Sequence, residues 1–319
     1  MARLALSTWF LCLSCVSLAL SAAPVKLCAL YPHLKDSYWL SVNAGMVEQA
    51  RARGVALIAL EAGGYQNRAT QVAQYQHCRD WGADAILLGS VTYTLATPIR
   101  EGMAHTPTLA LVNRVEPGSV VSTIGTDWYR MGETVAAHVN AHYPEGTRTL
   151  LMFGPQGQGG NQFLSQGLLA HLEPGRLTVA ATLHGANSAA RQRQLLAQYL
   201  AEHPAPDLII AGAIPAEVAV NELQARGLNT QVISTYLSHG VYRALLRGKI
   251  QMANSDRMRQ QGRMAVDAAL AQLAGQPLPE RLDPGVEVLV PTKALDRFED
   301  SLSDPDYRAV YEVTVAPNR

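Results

Sequence analysis

The sequence has little charge and no net charge of either sign. Lysine and arginine number 26 among 319 residues, aspartate and glutamate also number 26, and charged residues make up only 16% of the chain. Nucleic-acid-binding proteins need a basic surface that displaces counterions from phosphates, so this balance argues against that class. A hydrophobic content of 48% argues against an intrinsically disordered chain. The length predicts two globular domains, at roughly 100–200 residues per domain.

Cysteine is scarce, and two of the four cysteines lie in an N-terminal segment with the features of a secretory signal. An arginine precedes the apolar and small-residue run Leu4–Leu20, and three small residues follow before a proline. This order predicts a signal peptide that is cleaved after Ser21 or Ala22. The alternatives are an N-terminal membrane anchor and, less favoured, a lipoprotein acylated at Cys15. No later segment reaches the roughly 20 apolar residues of a transmembrane helix, so we expect an exported protein.

Short apolar runs alternate with helical patterns along almost the whole remaining chain. Val25–Tyr31, Val55–Leu60 and Ala85–Leu88 are predicted strands, separated by predicted helices. Repeated β-α units with continuous apolar strands predict parallel sheets covered by helices on both faces. The ten to eleven strands are too many for one half-length unit, so we expect two similar α/β lobes. In such sheets the ligand lies beyond the carboxyl ends of the strands.

Motifs of catalysis and of metal binding are lacking. The remaining cysteines, Cys28 and Cys78, cannot form a tetrahedral zinc site without further ligands. The glycine-rich segment 154–161 lacks the Gly-Lys-Ser/Thr ending of a P-loop and does not match G-x-G-x-x-G. A tight turn at the rim of the cleft is therefore its preferred interpretation. Neither G-x-S-x-G nor H-E-x-x-H occurs, and we expect no enzymatic activity, no cofactor and no metal.

Aromatic residues make up only 6% of the chain, yet many of them directly follow predicted strands. Several tyrosines and tryptophans that converge on one cleft form a box suited to a cation or a quaternary-ammonium-like group. Individual members have alternatives: Trp39 could pack at a helix start, Tyr65 could face solvent, and Asp36 could cap the helix instead of contacting a ligand. The residues at strand ends are Tyr38, Trp39, Tyr65, Tyr93, Trp128, Tyr129 and Tyr236.

Several segments resemble a known family. The stretch that begins at Leu27 and contains Asp-Ser-Tyr-Trp-Leu-Ser at 36–41, together with Glu-Ala-Gly-Gly-Tyr at 61–65 and Tyr-Leu-Ser-His at 236–239, resembles the type I periplasmic binding proteins. Within that family, which also contains ribose-binding proteins, the likeness is to members that sense trimethylamine N-oxide. The resemblance implies a periplasmic receptor that signals to the sensor domain of a membrane histidine kinase. The alternative is an ABC-importer binding protein for a sugar or a betaine-like osmolyte.

The resemblance also implies a domain organisation. After a signal peptide over residues 1–22, two Rossmann-like lobes with parallel sheets would be joined by a three-strand hinge. The chain would cross between them near Thr126, Ser255 and Asp283. The N-terminal lobe would comprise residues 24–125 plus 256–283, and the C-terminal lobe residues 126–255 plus 284–319.

The same resemblance implies a set of ligand contacts. Tyr38 and Trp39 take the place of the aromatic pair that grips a sugar in ribose-type members, while Tyr236 and Asp256 stand where those members place polar contacts. Indole N–H groups and tyrosine hydroxyls are the expected donors to an N-oxide oxygen. A ligand of five heavy atoms has a ceiling of about 1.5 kcal/mol per atom, which predicts micromolar or weaker binding. The expected ligand-binding residues are Asp36, Tyr38, Trp39, Tyr65, Trp128, Tyr236 and Asp256.

The strand order of this fold bears on the two cysteines. In a 2-1-3 order, the helix that leads from the second strand to the third crosses over the first strand. Cys78, late in that helix, could then meet Cys28 in the first strand. The alternatives are a disulfide bond, which we favour, and two separately buried thiols.

Overall fold

The computed structural model describes residues 23–315, so the expected signal peptide lies outside the described residues. In chain order the first elements are β1 (Lys26–Tyr31), α1 (Ser37–Arg53), β2 (Ala56–Glu61), α2 (Arg68–Asp80), β3 (Ala85–Leu88), α3 (Thr97–Met103), β4 (Thr108–Leu111), β5 (Thr123–Ile124), α4 (Trp128–His142), β6 (Thr147–Phe153), α5 (Asn161–His171) and β7 (Leu177–His184). The remaining ones are α6 (Ala189–Glu202), β8 (Leu208–Ala211), α7 (Ala213–Ala225), β9 (Gln231–Ser234), α8 (His239–Leu246), β10 (Met252–Ser255), α9 (Met258–Leu273), β11 (Arg281–Leu282), β12 (Glu287–Leu289), α10 (Phe298–Ser301) and β13 (Glu312–Val313).

The strands form two sheets, each mostly parallel and flanked by helices. The first has the order β11-β5-β4-β3-β1-β2-β13 and the second the order β12-β10-β9-β8-β6-β7. Pairing is parallel except at one edge of each sheet, where β13 lies antiparallel to β2 and β12 antiparallel to β10. Strand β1 is central to the first sheet, with Leu27 paired to Leu57 on one side and Ala85 on the other. The prediction of two Rossmann-like α/β lobes is confirmed.

The end of the chain departs from the predicted domain boundaries. The passages between the sheets follow β5, β10 and β11, close to the three predicted crossings. A fourth passage follows β12, because β13 returns to the first sheet, so the assignment of residues 284–319 to the C-terminal lobe is wrong for this strand. Strand β2 is otherwise an edge strand with free backbone hydrogen-bonding groups, and the pairing of Val313 with Leu57 satisfies them.

Glycine allows the closest helix contact in the first lobe. A Cβ placed on Gly45 of α1 would lie 1.8 Å from the backbone oxygen of Arg259 in α9, and a Cβ on Gly262 would lie 2.1 Å from the oxygen of Val42. Only glycine permits backbones to approach this closely. Helix α9 begins directly after the second passage between the sheets, so this contact fixes the position of that passage against α1.

A disulfide bond joins the first strand to the helix above it. Cys28 in β1 and Cys78 in α2 are both fully buried, their sulfurs are bonded, and their Cα atoms lie 5.7 Å apart. Of the two alternatives left open by the sequence, the structure contains the disulfide. Among residues 23–315, no helix is long and apolar enough to cross a membrane.

Candidate ligand-binding site

A small cavity lies where the carboxyl ends of the two sheets face each other. Loops after β1, β2, β4 and β5 reach it from the first sheet, and loops after β6, β7 and β9 reach it from the second. The cavity volume that the centre of a water-sized sphere can reach is about 30 Å³. The lining residues are Asp36, Tyr38, Trp39, Tyr65, Val112, Asn113, Trp128, Gly159, Gly160, Asn161, Asn187 and Tyr236.

Four aromatic side chains form the walls of this cavity. The ring centre of Tyr38 lies 5.8 Å from that of Trp39, 6.4 Å from that of Trp128 and 5.5 Å from that of Tyr236. Trp128 and Tyr236 are 5.9 Å apart and nearly perpendicular. Tyr38 and Trp39 come from α1 in the first lobe, whereas Trp128 opens α4 in the second, so the two lobes supply opposite walls. We refer to these four side chains as the aromatic box.

The carboxylate of Asp36 lies at the cavity and also caps a helix. One carboxylate oxygen accepts a hydrogen bond of 3.1 Å from the backbone N–H of Trp39, so capping and a place at the cavity are compatible. The other oxygen lies 3.8 Å from Nε2 of the buried His33. Among residues 23–315, no lysine or arginine lines the cavity. Apart from tyrosine hydroxyls, Asp36 is the ionisable group that lines it, and the local potential therefore favours a positive ligand.

Asp256 stands behind the aromatic box and does not line the cavity. It lies between β10 and α9, is only 1% exposed, and accepts a 2.5 Å hydrogen bond from the hydroxyl of Tyr38. The amide of Gln261 donates to the same carboxylate oxygen at 2.9 Å. Burial raises the pKa of the Asp256 carboxyl, and these two hydrogen bonds oppose the rise. Asp256 therefore contacts Tyr38 and lies outside the cavity lining, whereas the sequence predicts a direct contact with a ligand.

Tyr65 offers a hydroxyl proton to the cavity. Its oxygen accepts a hydrogen bond of 3.1 Å from the side-chain amide of Asn113, which also donates to the backbone oxygen of Ser90. Burial raises the pKa of Tyr65 to about 12, although hydrogen bonds from Asn113 and Trp39 lower it. With its oxygen accepting, the hydroxyl keeps its own proton available as a donor. Tyr65 is buried. The alternative interpretation, in which Tyr65 faces solvent from a loop, is therefore wrong.

The indole N–H of Trp128 is already used within the protein. It donates a hydrogen bond of 3.2 Å to the backbone oxygen of Val112, so this member of the expected set of indole and tyrosine donors already has an acceptor within the protein. Val112 has a φ of 65°, a conformation that is rare for a β-branched residue. This places the Val112 oxygen where the second lobe's Trp128 can reach it, and so links the lobes beside the cavity.

The glycine-rich segment after β6 covers one side of the cavity. A Cβ added to Gly160 would lie 1.8 Å from a ring atom of Trp128, so the backbone rests directly on the indole face. Gly159 has a φ of 62° and approaches the hydroxyl of Tyr65. The interpretation as a tight turn at the cleft rim agrees with this position, but the sequence did not identify Gly159 or Gly160 as lining residues.

Sequence reasoning also missed Val112, Asn113, Asn161 and Asn187. Asn113 follows β4 and Asn187 follows β7, so the rule that ligands lie beyond strand ends could have found both. Val112 and the glycines carry no polar or aromatic signal. Their roles depend on where the backbone passes, which residue type alone does not reveal.

The chain is similar to characterised binding proteins over most of its length. Residues 29–277 match the family model described as periplasmic binding protein domain. The periplasmic protein TorT of Escherichia coli strain K12 is 43% identical over 290 residues, covering 90% of this chain and 84% of TorT. TorT of Escherichia coli O157:H7 matches equally well.

Solved structures agree with this relationship. A complex of the TorS sensor domain with TorT in the presence of TMAO, trimethylamine N-oxide, superimposes with a TM-score of 0.82 at 35% identity, covering 90% of this chain and 99% of that chain. The complex in the absence of ligand gives a TM-score of 0.81 at 34% identity, with the same coverage. These likenesses confirm the resemblance inferred from the sequence segments. This chain is a periplasmic protein that belongs to the periplasmic binding protein family.

Proposed function

We propose that this protein is a receptor that binds trimethylamine N-oxide, leaves it chemically unchanged, and reports its presence to the periplasmic sensor domain of a TorS-like membrane histidine kinase. The observation that carries the proposal is the aromatic box, formed by rings from both lobes within 5.5–6.4 Å of one another. The similarity to TorT, whose solved complex contains the same N-oxide, supports the choice of ligand.

The chemistry of the ligand fits the walls of the cavity. Trimethylamine N-oxide carries a positive nitrogen beneath three methyl groups and a compact oxygen that accepts hydrogen bonds strongly. Each aromatic face that meets the methylated nitrogen contributes ~0.5–2 kcal/mol. The carboxylate of Asp36 adds a negative charge at the same cavity, and in the described part of the chain no lysine or arginine lines it to oppose a positive ligand.

Tyr65 is the donor that best suits the N-oxide oxygen. Two donors of the box are less suitable, because the Tyr38 hydroxyl donates to Asp256 and the Trp128 N–H donates to Val112. The Tyr65 oxygen accepts a hydrogen bond from Asn113, which makes its own proton a stronger donor through cooperativity. The N-oxide would thus be oriented with its methyl groups against the box and its oxygen towards Tyr65.

The size of the cavity favours a compact solute. One water molecule needs about 10–15 Å³ of the volume that is open to the centre of a water-sized sphere. The 30 Å³ in this cavity therefore corresponds to roughly two or three water positions. Five heavy atoms are closer to this space than the ring and hydroxyls of a sugar. A second space of about 490 Å³ shares Asp36, Tyr38, Asn187 and Tyr236 with this cavity, so the aromatic walls, and not size alone, argue against a sugar ligand.

The partner follows from the same relatives. The TorS sensor domain and TorT form a complex both without ligand and with trimethylamine N-oxide. We therefore expect this protein to bind the sensor domain of a TorS-like kinase with and without ligand. The N-oxide would then change the geometry of a preformed complex and would not recruit the kinase.

The ligand is tested by isothermal titration calorimetry with trimethylamine N-oxide, glycine betaine and ribose. We expect a micromolar or weaker dissociation constant for the N-oxide and weaker binding of the other two. Trp39→Ala should weaken N-oxide binding at least tenfold, because it removes one wall of the box. Trp81→Ala is the matched control, since Trp81 packs against Lys26 outside the cavity. Tighter binding of ribose, or equal binding of all three solutes, contradicts the proposal.

A further inference from the structure

Tyr38 and Asp256 form a buried pair that connects the aromatic box to the second passage between the sheets. Tyr38 is 5% exposed and Asp256 is 1% exposed, and the hydroxyl donates to the carboxylate at 2.5 Å. The same carboxylate oxygen accepts from Gln261 at 2.9 Å. The second oxygen of Asp256 is buried and has no hydrogen-bond partner among residues 23–315.

Asp256 is bonded to Tyr38 at the hydroxyl and does not line the cavity. The Tyr38 ring lies beside Trp39, Trp128 and Tyr236, while its hydroxyl donates to Asp256. A carboxylate in this place fixes the ring through its hydroxyl. It also puts a negative charge just beyond the hydroxyl of one aromatic wall, at a buried position where charges interact strongly.

We propose that Asp256 is a positioning residue that tunes the cavity for a positively charged methylated nitrogen, acting through Tyr38 and without touching the ligand. The inference deepens the proposed function and rests on it. Two effects act together: the hydrogen bond orients the ring, and the negative charge raises the affinity of the box for a positive ligand.

The geometry distinguishes this role from simple core packing. A buried carboxylate costs free energy unless its hydrogen bonds and a nearby positive charge compensate. Within residues 23–315 no lysine or arginine is bonded to Asp256, whose partners are Tyr38 and Gln261. A ligand with a positive nitrogen inside the box would supply the missing counter-charge.

The Asp256→Asn variant removes the negative charge of the side chain and keeps an oxygen that accepts hydrogen bonds. The amide oxygen can accept from Tyr38 and Gln261, and the amide nitrogen can occupy the position of the unpartnered carboxylate oxygen. The ring of Tyr38 therefore keeps its place while the negative charge is lost. Asp300→Asn is the matched control: Asp300 is also a buried carboxylate, and its partners Arg263 and Arg297 lie outside the cavity.

The test compares two solutes of equal size and different charge. Trimethylamine N-oxide is a dipole, and tetramethylammonium, with a fourth methyl in place of the oxygen, is a full cation. Dissociation constants are measured by calorimetry for the wild-type protein and both variants. A unit charge one aromatic ring away acts at an effective dielectric constant of about 20. Asp256→Asn should weaken tetramethylammonium binding about tenfold or more and N-oxide binding about threefold, whereas Asp300→Asn should change neither beyond about twofold.

The Tyr38→Phe variant tests in a second way whether Asp256 acts through Tyr38. It leaves the Asp256 carboxylate without its hydroxyl donor, so the carboxylate should become protonated and the same preference for the cation should be lost. The double variant with Asp256→Asn should then bind no more weakly than the weaker single variant, because the two residues act as one unit.

Several outcomes overturn the inference. Equal losses for both solutes in Asp256→Asn would indicate a structural role alone, and so would additive losses in the double variant. A wild-type protein that binds the N-oxide but not tetramethylammonium would show that the cavity has no preference for positive charge. Failure of the proposed function is a separate result: the wild-type protein would then not bind the N-oxide, whereas charge-dependent binding of tetramethylammonium could still be measured.

Discussion

Individual residues at the cavity act through backbone position as much as through side-chain chemistry. The sequence predicted six of the lining residues because aromatic and acidic types follow strands. It did not reveal the bond of Asp256 to the hydroxyl of Tyr38, 218 positions away in the chain. It also did not reveal that the Trp128 N–H donates to the oxygen of Val112. Hydrogen-bond partners of this kind depend on how distant elements pack, which local patterns do not encode.

Gly160 provides a test at the scale of one residue. Gly160→Ala places a Cβ 1.8 Å from the ring of Trp128, so the indole must move into the cavity or the loop must withdraw from it. We expect at least tenfold weaker binding of trimethylamine N-oxide, measured by calorimetry, with the fold retained by circular dichroism. Gln156→Ala, at an exposed position of the same loop, should bind as the wild-type protein does. Unchanged binding by Gly160→Ala would mean that the loop does not form a wall of the cavity.

Among the elements, long apolar strands and amphipathic helices were predictable, and short edge strands were not. Residues 85–88, for example, form a strand with the predicted bounds. The two-residue strands β11 and β13 and the four-residue helix α10 are too short to show a period of hydrophobicity. The two strands form because the edges of the first sheet offer unpaired backbone groups, as the pairing of Glu312 with Ile58 illustrates.

Removal of the disulfide should lower the free energy of unfolding by an amount that depends on the length of the chain segment that the disulfide closes. Cys28 and Cys78 are 50 positions apart, and closing such a loop stabilises a fold by about 2–4 kcal/mol. The variant with both cysteines changed to alanine should lose a free energy of unfolding in this range, measured by urea denaturation. Intact mass with and without reductant provides the control. An unchanged unfolding midpoint would contradict this role.

His138 in helix α4 should make the stability of the protein depend on pH. Burial, together with the charge of the stacked His142 ring, lowers the pKa of His138 from 6.5 to about 4. Between these values the unfolded chain binds a proton at His138 that the folded protein does not bind, so stability falls as the pH falls from 6.5 towards 4. His138→Gln should lose less stability than the wild-type protein over this interval, measured as urea midpoints at several pH values. Parallel losses in both proteins would exclude the effect.

At the scale of the whole molecule, two sheets share one candidate ligand cavity, and residues 23–315 pass between them four times. Each lobe contributes walls that are incomplete alone: Tyr38 and Trp39 come from the first, Trp128 and Tyr236 from the second. Under the proposed function, a ligand inside the box would stabilise this arrangement by contacts that exist only when the lobes meet. Such coupling between cavity and lobe arrangement would give a sensor kinase a change of shape to detect.

A crystal structure of the protein grown with trimethylamine N-oxide tests this account most directly. We expect the three methyl groups to contact the rings of Tyr38, Trp39, Trp128 and Tyr236, and the oxygen to accept a hydrogen bond from the hydroxyl of Tyr65. Asp256 should remain bonded to Tyr38 without touching the ligand. An N-oxide bound outside the box, or rings that separate when it binds, would contradict the account.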